Sequence, residues 1–85
     1  MIIRVHKKFL KGYNKLTKSQ KKRFKERRNL FITVEFNPVL NNHALTGGYK
    51  GLRSFNVSGD LRAIFKREKD SVLFVALDKH SNLYG

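Results

Sequence analysis

The first half of the chain combines one extended segment with two segments whose apolar residues have helical spacing. Residues 1–6 are rich in β-branched side chains and predict a strand. Phe9, Tyr13 and Leu16 follow at intervals of four and three residues, which places them on one face of a first helix. Gly12 weakens this helix by about 1 kcal/mol relative to alanine, so packing against the rest of the protein must hold it.

A second helix is predicted to begin after a capping signal. Residues 17–20, Thr-Lys-Ser-Gln, fit the capping box, in which the threonine hydroxyl accepts an amide hydrogen bond and the glutamine side chain reaches back. Phe24, Phe31 and Val34 then lie on one side of the helix. The Asn-Pro pair at residues 37–38 is expected to end it, because proline cannot continue a helix.

The second half of the chain has the spacing of strands. After a loop or a short turn over residues 39–50, segment 52–57 alternates apolar and polar side chains. Segment 61–66 follows a Ser-Gly turn as the next strand. Residues 72–77, Val-Leu-Phe-Val-Ala-Leu, are apolar on both faces, which predicts a central strand covered on both sides. Residues 81–85 form a short tail.

These elements, in the order β-α-α-β-β-β, predict one small α+β domain over residues 1–85. Hairpin connections favour a mainly antiparallel sheet with the helical hairpin packed on one face. The first strand is expected to join a sheet edge or to pair with the central strand. The opposite face is expected to be partly open and lined by Asn56, Arg62 and the tail. The core is small, because a chain of this size buries only about 60–65% of its unfolded surface.

Charge distinguishes this chain from an ordinary small domain. It has 19 Lys and Arg against 6 Asp and Glu, a net charge of +13, and residues 1–30 carry +11 of that charge. Residues 15–28 are predicted to project as an electropositive arm, which attracts nucleic acid, ribosomes, an acidic protein or an anionic membrane surface. A solvated lysine-rich helix face has the same composition. The candidate RNA-binding residues of the arm are Lys21, Lys22, Arg23 and Lys25.

Several classes of site are not indicated by the sequence. It has no cysteine, and no apolar run approaches the roughly 18–20 residues of a membrane span. The HExxH, P-loop, GxGxxG and GxSxG motifs are absent. We therefore expect no metal, no cofactor, no membrane association and a cytoplasmic location.

Four polar or aromatic residues of the second half are candidates for chemistry. His43 lies in the loop before the sheet and His80 follows the last strand, and imidazole groups exchange protons near neutral pH. Asp60 follows a turn and can orient a histidine, act as a base, or pair with a nearby arginine. Tyr84 can stack on a nucleobase or dock the tail into an apolar groove. Each histidine can also be an ordinary loop residue.

Four short segments of the second half form a recognisable set of motifs. They read HALTG at residues 43–47, GLR at 51–53, DLRAIF at 60–65 and HSNLYG at 80–85. In spacing they resemble the RelE/ParE toxin superfamily, above all its YafQ-like branch, which has approximately H-x-L-x-G, R-x-x-H-x-x-x-D-x-x-L-I-Y and G-x-H-S-x-L-F. Asn56 stands where that pattern has a histidine. An amide can hydrogen-bond RNA but cannot shuttle protons.

The resemblance implies a RelE-like fold and a type II toxin that cleaves mRNA in the ribosomal A site, in contact with ribosomal RNA. A cognate acidic antitoxin would neutralise it. By motif, the resemblance carries the functional positions of the family to His43, Asp60, His80 and Tyr84. Arg62 matches a phosphate-binding arginine of the wider superfamily.

The expected reaction is attack of an RNA 2′-hydroxyl on the adjacent phosphate without a metal. His80 or Asp60 would act as the base and His43 or His80 as the acid, while Arg62 and Arg53 would stabilise the developing charge. Two alternatives stay open. One is a ParE-like protein of the same fold that inhibits DNA gyrase, and the other is a basic RNA- or ribosome-binding module with weak or no catalysis.

Overall fold

A computed structural model of the chain describes residues 1–83 fully and the backbone of residue 84. Within this described part of the chain, three helices and five strands form a mixed α+β fold, which confirms the predicted class. The strands are β1 (Ile2–Val5), β2 (His43–Ala44), β3 (Arg53–Asn56), β4 (Leu61–Arg67) and β5 (Ser71–Lys79). The helices are α1 (Lys7–Asn14), α2 (Lys18–Thr33) and α3 (His80–Tyr84), with short 3-10 turns at Pro38–Leu40 and Gly47–Tyr49. Helix α3 forms where only a tail was predicted.

The strands form a single sheet in the order β1-β5-β4-β3-β2. Strand β1 lies at one edge and pairs with β5, so both of the positions predicted for it apply. This pairing is parallel, whereas all other neighbouring strands are antiparallel. Because β5 lies between β1 and β4, both of its edges are hydrogen-bonded. The predicted position of this apolar strand inside the sheet is therefore confirmed. Full cover on both faces is not found, because Leu73 and Val75 are half-buried.

The prediction of a loop or short turn over residues 39–50 is wrong in one respect, because this segment contains strand β2. Strand β2 has only two residues, which pair antiparallel with β3. A two-residue strand is too short to show alternation in the sequence, so pattern analysis could not find it. Its consequence is functional, since it places His43 on the sheet rather than in a free loop.

Helix α2 begins as predicted and ends earlier than predicted. The Thr17 hydroxyl accepts the Gln20 amide proton at 3.2 Å, and the Gln20 side chain accepts that of Thr17 at 2.9 Å. The helix ends at Thr33, because Val34 leaves the helical region with φ −137° and ψ 81°. Val34 lies beyond the helix and is 50% exposed, so the prediction that it shares one side of the helix with Phe24 and Phe31 is wrong. Pro38 instead begins a 3-10 turn of its own.

The core lies between the helices and one face of the sheet, and stacked or tilted phenylalanine rings dominate it. Their centroids lie 4.9–6.2 Å apart. A bulge in β5 aligns this face: Phe65 pairs with Phe74 and Ile64 pairs with Ala76, which leaves Val75 as the extra residue. The rings are those of Phe9, Phe24, Phe31, Phe55, Phe65 and Phe74.

Candidate active site

A cleft of about 330 Å³ opens beside strands β2, β3 and β4, and we call it the histidine cleft. Strand register assembles it, because His43 on β2 pairs with Ser54 on β3, and Arg62 lies on β4, the next strand. The sheet thus brings three predicted site residues, His43, Arg62 and His80, around one space. The residues lining the cleft are Asn41, His43, Leu45, Ser54, Arg62 and His80.

The tautomer of His43 follows from its hydrogen bond. The Nδ1 atom lies 2.7 Å from the main-chain oxygen of Asn41. A carbonyl oxygen only accepts, so Nδ1 carries the proton and Nε2 is the atom through which the ring exchanges protons. Asn41 has a left-handed backbone conformation, with φ 46° and ψ 48°. This conformation turns its carbonyl group toward the ring, and asparagine tolerates it better than most residues.

The guanidinium group of Arg62 lies at the histidine cleft, and only one of its three nitrogens donates a hydrogen bond to the described residues. Its Nη1 atom donates to the main-chain oxygens of Ser58 at 2.9 Å, Gly59 at 3.2 Å and Leu61 at 3.2 Å. Within residues 1–84, its Nε and Nη2 atoms have no hydrogen-bond acceptor and no carboxylate lies within 4.0 Å. The side chain is therefore held in place and still has two donor atoms for an anion.

Asp60 contributes its main chain rather than an ion pair. Its carbonyl oxygen accepts the His80 amide proton at 2.7 Å, which fixes the start of α3 beside the β3–β4 turn. Its carboxylate is exposed and makes no ion pair with the described residues. The predicted alternative of a pair with an arginine is therefore not found. Asp60 is also not among the residues that line the histidine cleft.

Helix α3, which carries His80, is anchored at both ends. The Asp78 carboxylate accepts the Lys79 amide proton at 2.7 Å and the Asn82 side-chain amide at 3.0 Å. Burial opposes ionisation of Asp78, but these hydrogen bonds and the charges of two lysines hold its pKa below the ordinary value. The Tyr49 hydroxyl donates to the Leu83 carbonyl oxygen at 2.8 Å. These contacts keep a five-residue helix against the sheet.

Arg53 does not lie with Arg62, which corrects the predicted pair of charge-stabilising arginines. Alternate residues of a strand face opposite ways, so Arg53 shares its side of β3 with the core residue Phe55. Its Nε atom donates to the Asn42 side-chain oxygen at 2.9 Å, and its guanidinium group lies 5.6 Å from the centre of the Phe36 ring. Arg53 therefore supports the segment just before His43 instead of lining the cleft.

Two polar side-chain atoms on β3 have no hydrogen-bond partner among the described residues. The Ser54 hydroxyl and the Asn56 side-chain oxygen are buried without a hydrogen bond to any described residue. Asn56 pairs with Arg62 across the strands but lines a neighbouring cleft and not the histidine cleft. Ser54 and Asn41 were missed by the sequence analysis. Alternation along β3 groups Ser54 with Asn56 and was an available signal, whereas nothing local marked the Asn41 carbonyl.

The basic residues predicted on α2 do not have equivalent environments. Lys21 is half-buried, and its Nζ atom lies 5.3 Å from the centre of the Tyr13 ring, so part of its role is structural. Lys22, Arg23 and Lys25 are exposed. The predicted role of the Tyr84 side chain lies outside the described residues.

The described residues were also compared with the requirements of a metal site and of a membrane span. Within residues 1–84, no group of three or more His, Asp or Glu side chains is placed to hold a metal ion. None of the helices in this part of the chain combines the length and the apolar character needed to cross a membrane.

Solved structures with the same fold include toxins from bacteria. YafQ from E. coli strain BL21(DE3) has a TM-score of 0.85 and 23% identity, and the match covers 98% of this chain and 97% of that one. The E. coli DinJ-YafQ toxin-antitoxin complex matches with a TM-score of 0.82 and 25% identity, over 98% and 96% of the two chains. A YoeB/ParE toxin from Agrobacterium tumefaciens has a TM-score of 0.77 at 12% identity, over 94% and 99%.

Sequence comparison identifies the family. Comparison with curated proteins gives no match. The profile of the family described as bacterial toxin of type II toxin-antitoxin system, YafQ, matches residues 1–85. Because that match spans the whole chain, and because the fold agrees with it, the protein belongs to the YafQ family of the RelE/ParE superfamily and is a type II toxin.

Proposed function

We propose that this toxin is an endoribonuclease that cleaves mRNA in the ribosomal A site. The observation that carries the proposal is the histidine cleft, where His43, His80 and Arg62 line one space. Attack of a 2′-hydroxyl on the neighbouring phosphate requires a base, an acid and positive charge near the phosphate oxygens. The cleft contains two imidazoles and a guanidinium group, which can supply all three.

The proposed reaction balances with these groups alone. One histidine removes the 2′-hydroxyl proton as the 2′-oxygen bonds to phosphorus. The bond from phosphorus to the 5′-oxygen breaks, and the other histidine donates a proton to that leaving oxygen. The products are a 2′,3′-cyclic phosphate and a 5′-hydroxyl. His43 exchanges its proton at Nε2, because Nδ1 is held by Asn41.

The remaining site residues have supporting roles in the proposal. The Arg62 atoms Nε and Nη2 bind the phosphate oxygens as charge builds up, and charge-assisted hydrogen bonds of this kind are about twice as strong as neutral ones. Asp60 positions His80 through its main chain. Its carboxylate, which makes no ion pair with the described residues, is the alternative base. Tyr84, by its motif position, stacks on a base of the substrate.

Charge supports a ribosomal site of action in the cytoplasm. The net charge of +13 favours contact with the phosphates of ribosomal RNA, and the exposed lysines of α2 are proposed to make part of that contact. The same charge favours an acidic antitoxin partner. The E. coli relative has been solved as a complex with DinJ, and we propose a corresponding antitoxin for this chain.

The experiment is inducible expression in a bacterial host, with primer extension on a defined mRNA. The wild type is expected to arrest growth and to produce cuts at fixed codon positions. Because the wild type depends on proton transfer in the histidine cleft, His80→Ala should reduce cleavage by about 10²–10⁴-fold.

The matched control is His6→Asn. His6 caps α1 by accepting the Lys8 amide proton at 3.0 Å, far along the chain from the cleft, and asparagine can make the same cap. This variant should cleave like the wild type. Growth arrest that persists unchanged in a His43→Ala/Asp60→Ala/His80→Ala variant would contradict the proposal, and loss of DNA supercoiling without mRNA cuts would indicate gyrase inhibition instead.

A further inference from the structure

A second cleft, larger than the histidine cleft, lies between α2 and the β3–β4 turn. Its volume is about 480 Å³, and we call it the arginine cleft. Helix α2 supplies one wall through four residues that recur at helical spacing. The turn after β3 supplies the other wall. The lining residues are Ser19, Gln20, Arg23, Arg27, Val39, Asn56, Val57, Ser58 and Gly59.

The two clefts adjoin without sharing a lining residue. Arg62 lines the histidine cleft, and its Nη1 atom holds the carbonyl groups of Ser58 and Gly59, which line the arginine cleft. Ser54 and Asn56 lie two positions apart on β3, about 7 Å along a strand, and line one cleft each. Stacked nucleotides along one strand are about 3.4 Å apart, so this separation equals about two nucleotides. A single strand that enters one cleft can therefore reach the other.

The arginine cleft has the electrostatics of an anion site. Arg23 and Arg27 are four residues apart on one face of α2, and no acidic residue lines the cleft. Arg27 makes no hydrogen bond or ion pair with any residue in the described chain. Arg23 has only a long contact of 3.9 Å with Glu26, between two exposed side chains, and such pairs contribute little. Both guanidinium groups are thus available.

Arginine rather than lysine at both positions narrows the ligand class. A guanidinium group is a planar fork that matches the geometry of phosphate oxygens and binds two of them at once. The hydroxyl groups of Ser19 and Ser58 add donors in the same cleft. The cleft also lies beside the first turns of α2, where the positive end of the helix dipole favours an anion and no acidic side chain competes.

We infer that the arginine cleft binds a backbone phosphate of the substrate strand, one or two nucleotides from the bond cleaved in the histidine cleft. This inference rests on the proposed function. It separates two roles within the basic surface of α2: Arg23 and Arg27 hold the substrate strand, whereas Lys22 and Lys25, on the exposed side of the helix, contact other RNA.

The test measures binding and needs no catalysis. The probe is a fluorescein-labelled single-stranded RNA heptamer in which every ribose is 2′-O-methylated, so no 2′-oxygen can attack. Fluorescence anisotropy with the full chain gives the affinity over a series of salt concentrations. The variants are Arg23→Gln/Arg27→Gln and the matched control Lys22→Gln/Lys25→Gln, which removes the same charge outside the cleft.

The arginine variant is expected to bind the heptamer at least about tenfold more weakly than the control, because it can no longer make hydrogen bonds from charged groups to the phosphate. The slope of log affinity against log salt should fall by about 0.7 for each phosphate that the variant no longer neutralises. Equal weakening in the two variants would mean diffuse attraction and overturn the inference. Weakening toward an RNA hairpin but not toward the heptamer would also overturn it.

A conservative variant keeps the test decisive if the glutamine variant fails to fold. Arg23→Lys/Arg27→Lys retains the charge and removes the planar fork, so the affinity should fall while the salt slope stays the same. Failure of the inference and failure of the proposed function are distinguishable. If the wild type cleaves mRNA and the arginine variant binds the heptamer as well as the wild type, only the phosphate-binding role of the arginine cleft is refuted. If the arginine variant loses binding and the wild type cleaves no mRNA, only the proposed endoribonuclease activity is refuted.

Discussion

Gly12 lies where helix α1 crosses strand β5, at a point with no space for a side chain. A Cβ atom there would lie 2.1 Å from the carbonyl oxygen of Leu77, whereas real contacts of this kind essentially never fall below 3.0 Å. The prediction that packing must hold this glycine-containing helix is confirmed. Replacing Gly12 by alanine therefore requires α1 and β5 to move apart by about 0.9 Å.

Two opposing effects determine the magnitude. Alanine favours a helix over glycine by about 1 kcal/mol. Overpacking costs about 1–3 kcal/mol, and the upper end applies because the contacted atom belongs to the backbone of a paired strand and cannot rotate away. The expected net loss is about 2 kcal/mol, which lowers the Tm of a domain of this size by about 8–16 °C. Leu77 immediately precedes Asp78, so the displacement should also reach the anchor of α3 and reduce cleavage.

Thermal unfolding followed by circular dichroism measures this loss of stability. The matched control is Gly48→Ala, because a Cβ atom at Gly48 meets nothing within 4 Å and its φ is not positive. The control should stay within about 0.5 kcal/mol of the wild type. A Gly12→Ala protein as stable as the wild type would refute the reasoning, since helix propensity alone predicts stabilisation and only the contact with Leu77 opposes it.

Two further predictions concern the segments that hold the histidines. Asn41→Val should lower the free energy of unfolding in urea by about 1–2 kcal/mol, because a β-branched residue is disfavoured at positive φ, and it should reduce cleavage through His43. The control Asn41→Gly should retain cleavage, because glycine adopts positive φ readily. Equal activity of the two variants would contradict this prediction. Although burial opposes ionisation, hydrogen bonds lower the pKa of Asp78, so its stabilisation is present above about pH 4 and is lost as the pH falls through the lowered folded value. Asp78→Asn should therefore destabilise the protein more at about pH 6 than at about pH 3 in urea unfolding, and an equal loss of stability at the two pH values would contradict this.

Local patterns predicted most of the fold. The capping box at Thr17 marked the start of α2, and the alternating and fully apolar segments marked β3, β4 and β5. The errors occurred where local signals are short or absent. Strand β2 has two residues, and the bulge at Val75 depends on how β4 and β5 pair. Neither feature changes the periodicity that a sequence analysis reads.

The site was predictable by residue type and less so by geometry. His43, His80 and Arg62 were predicted as site residues and line one cleft. Arg53 was predicted beside them, yet its side chain supports Asn42, on the other side of β3. Strand alternation alone separates Arg53 from Ser54, so this correction was available from the sequence. The arginine cleft could not be predicted from the sequence, because it forms only where α2 lies beside the β3–β4 turn.

The sequence by itself determined the two long helices, the long strands, the charge and the chemical groups available for catalysis. These properties depend on neighbouring residues, and short-range spacing encodes them. The tertiary structure decided which groups share a space, which nitrogen of His43 carries its proton, and which guanidinium nitrogens lack an acceptor among the described residues. Those properties depend on pairings between residues far apart in the chain, and no local pattern specifies which strands will be neighbours or where a helix will cross them.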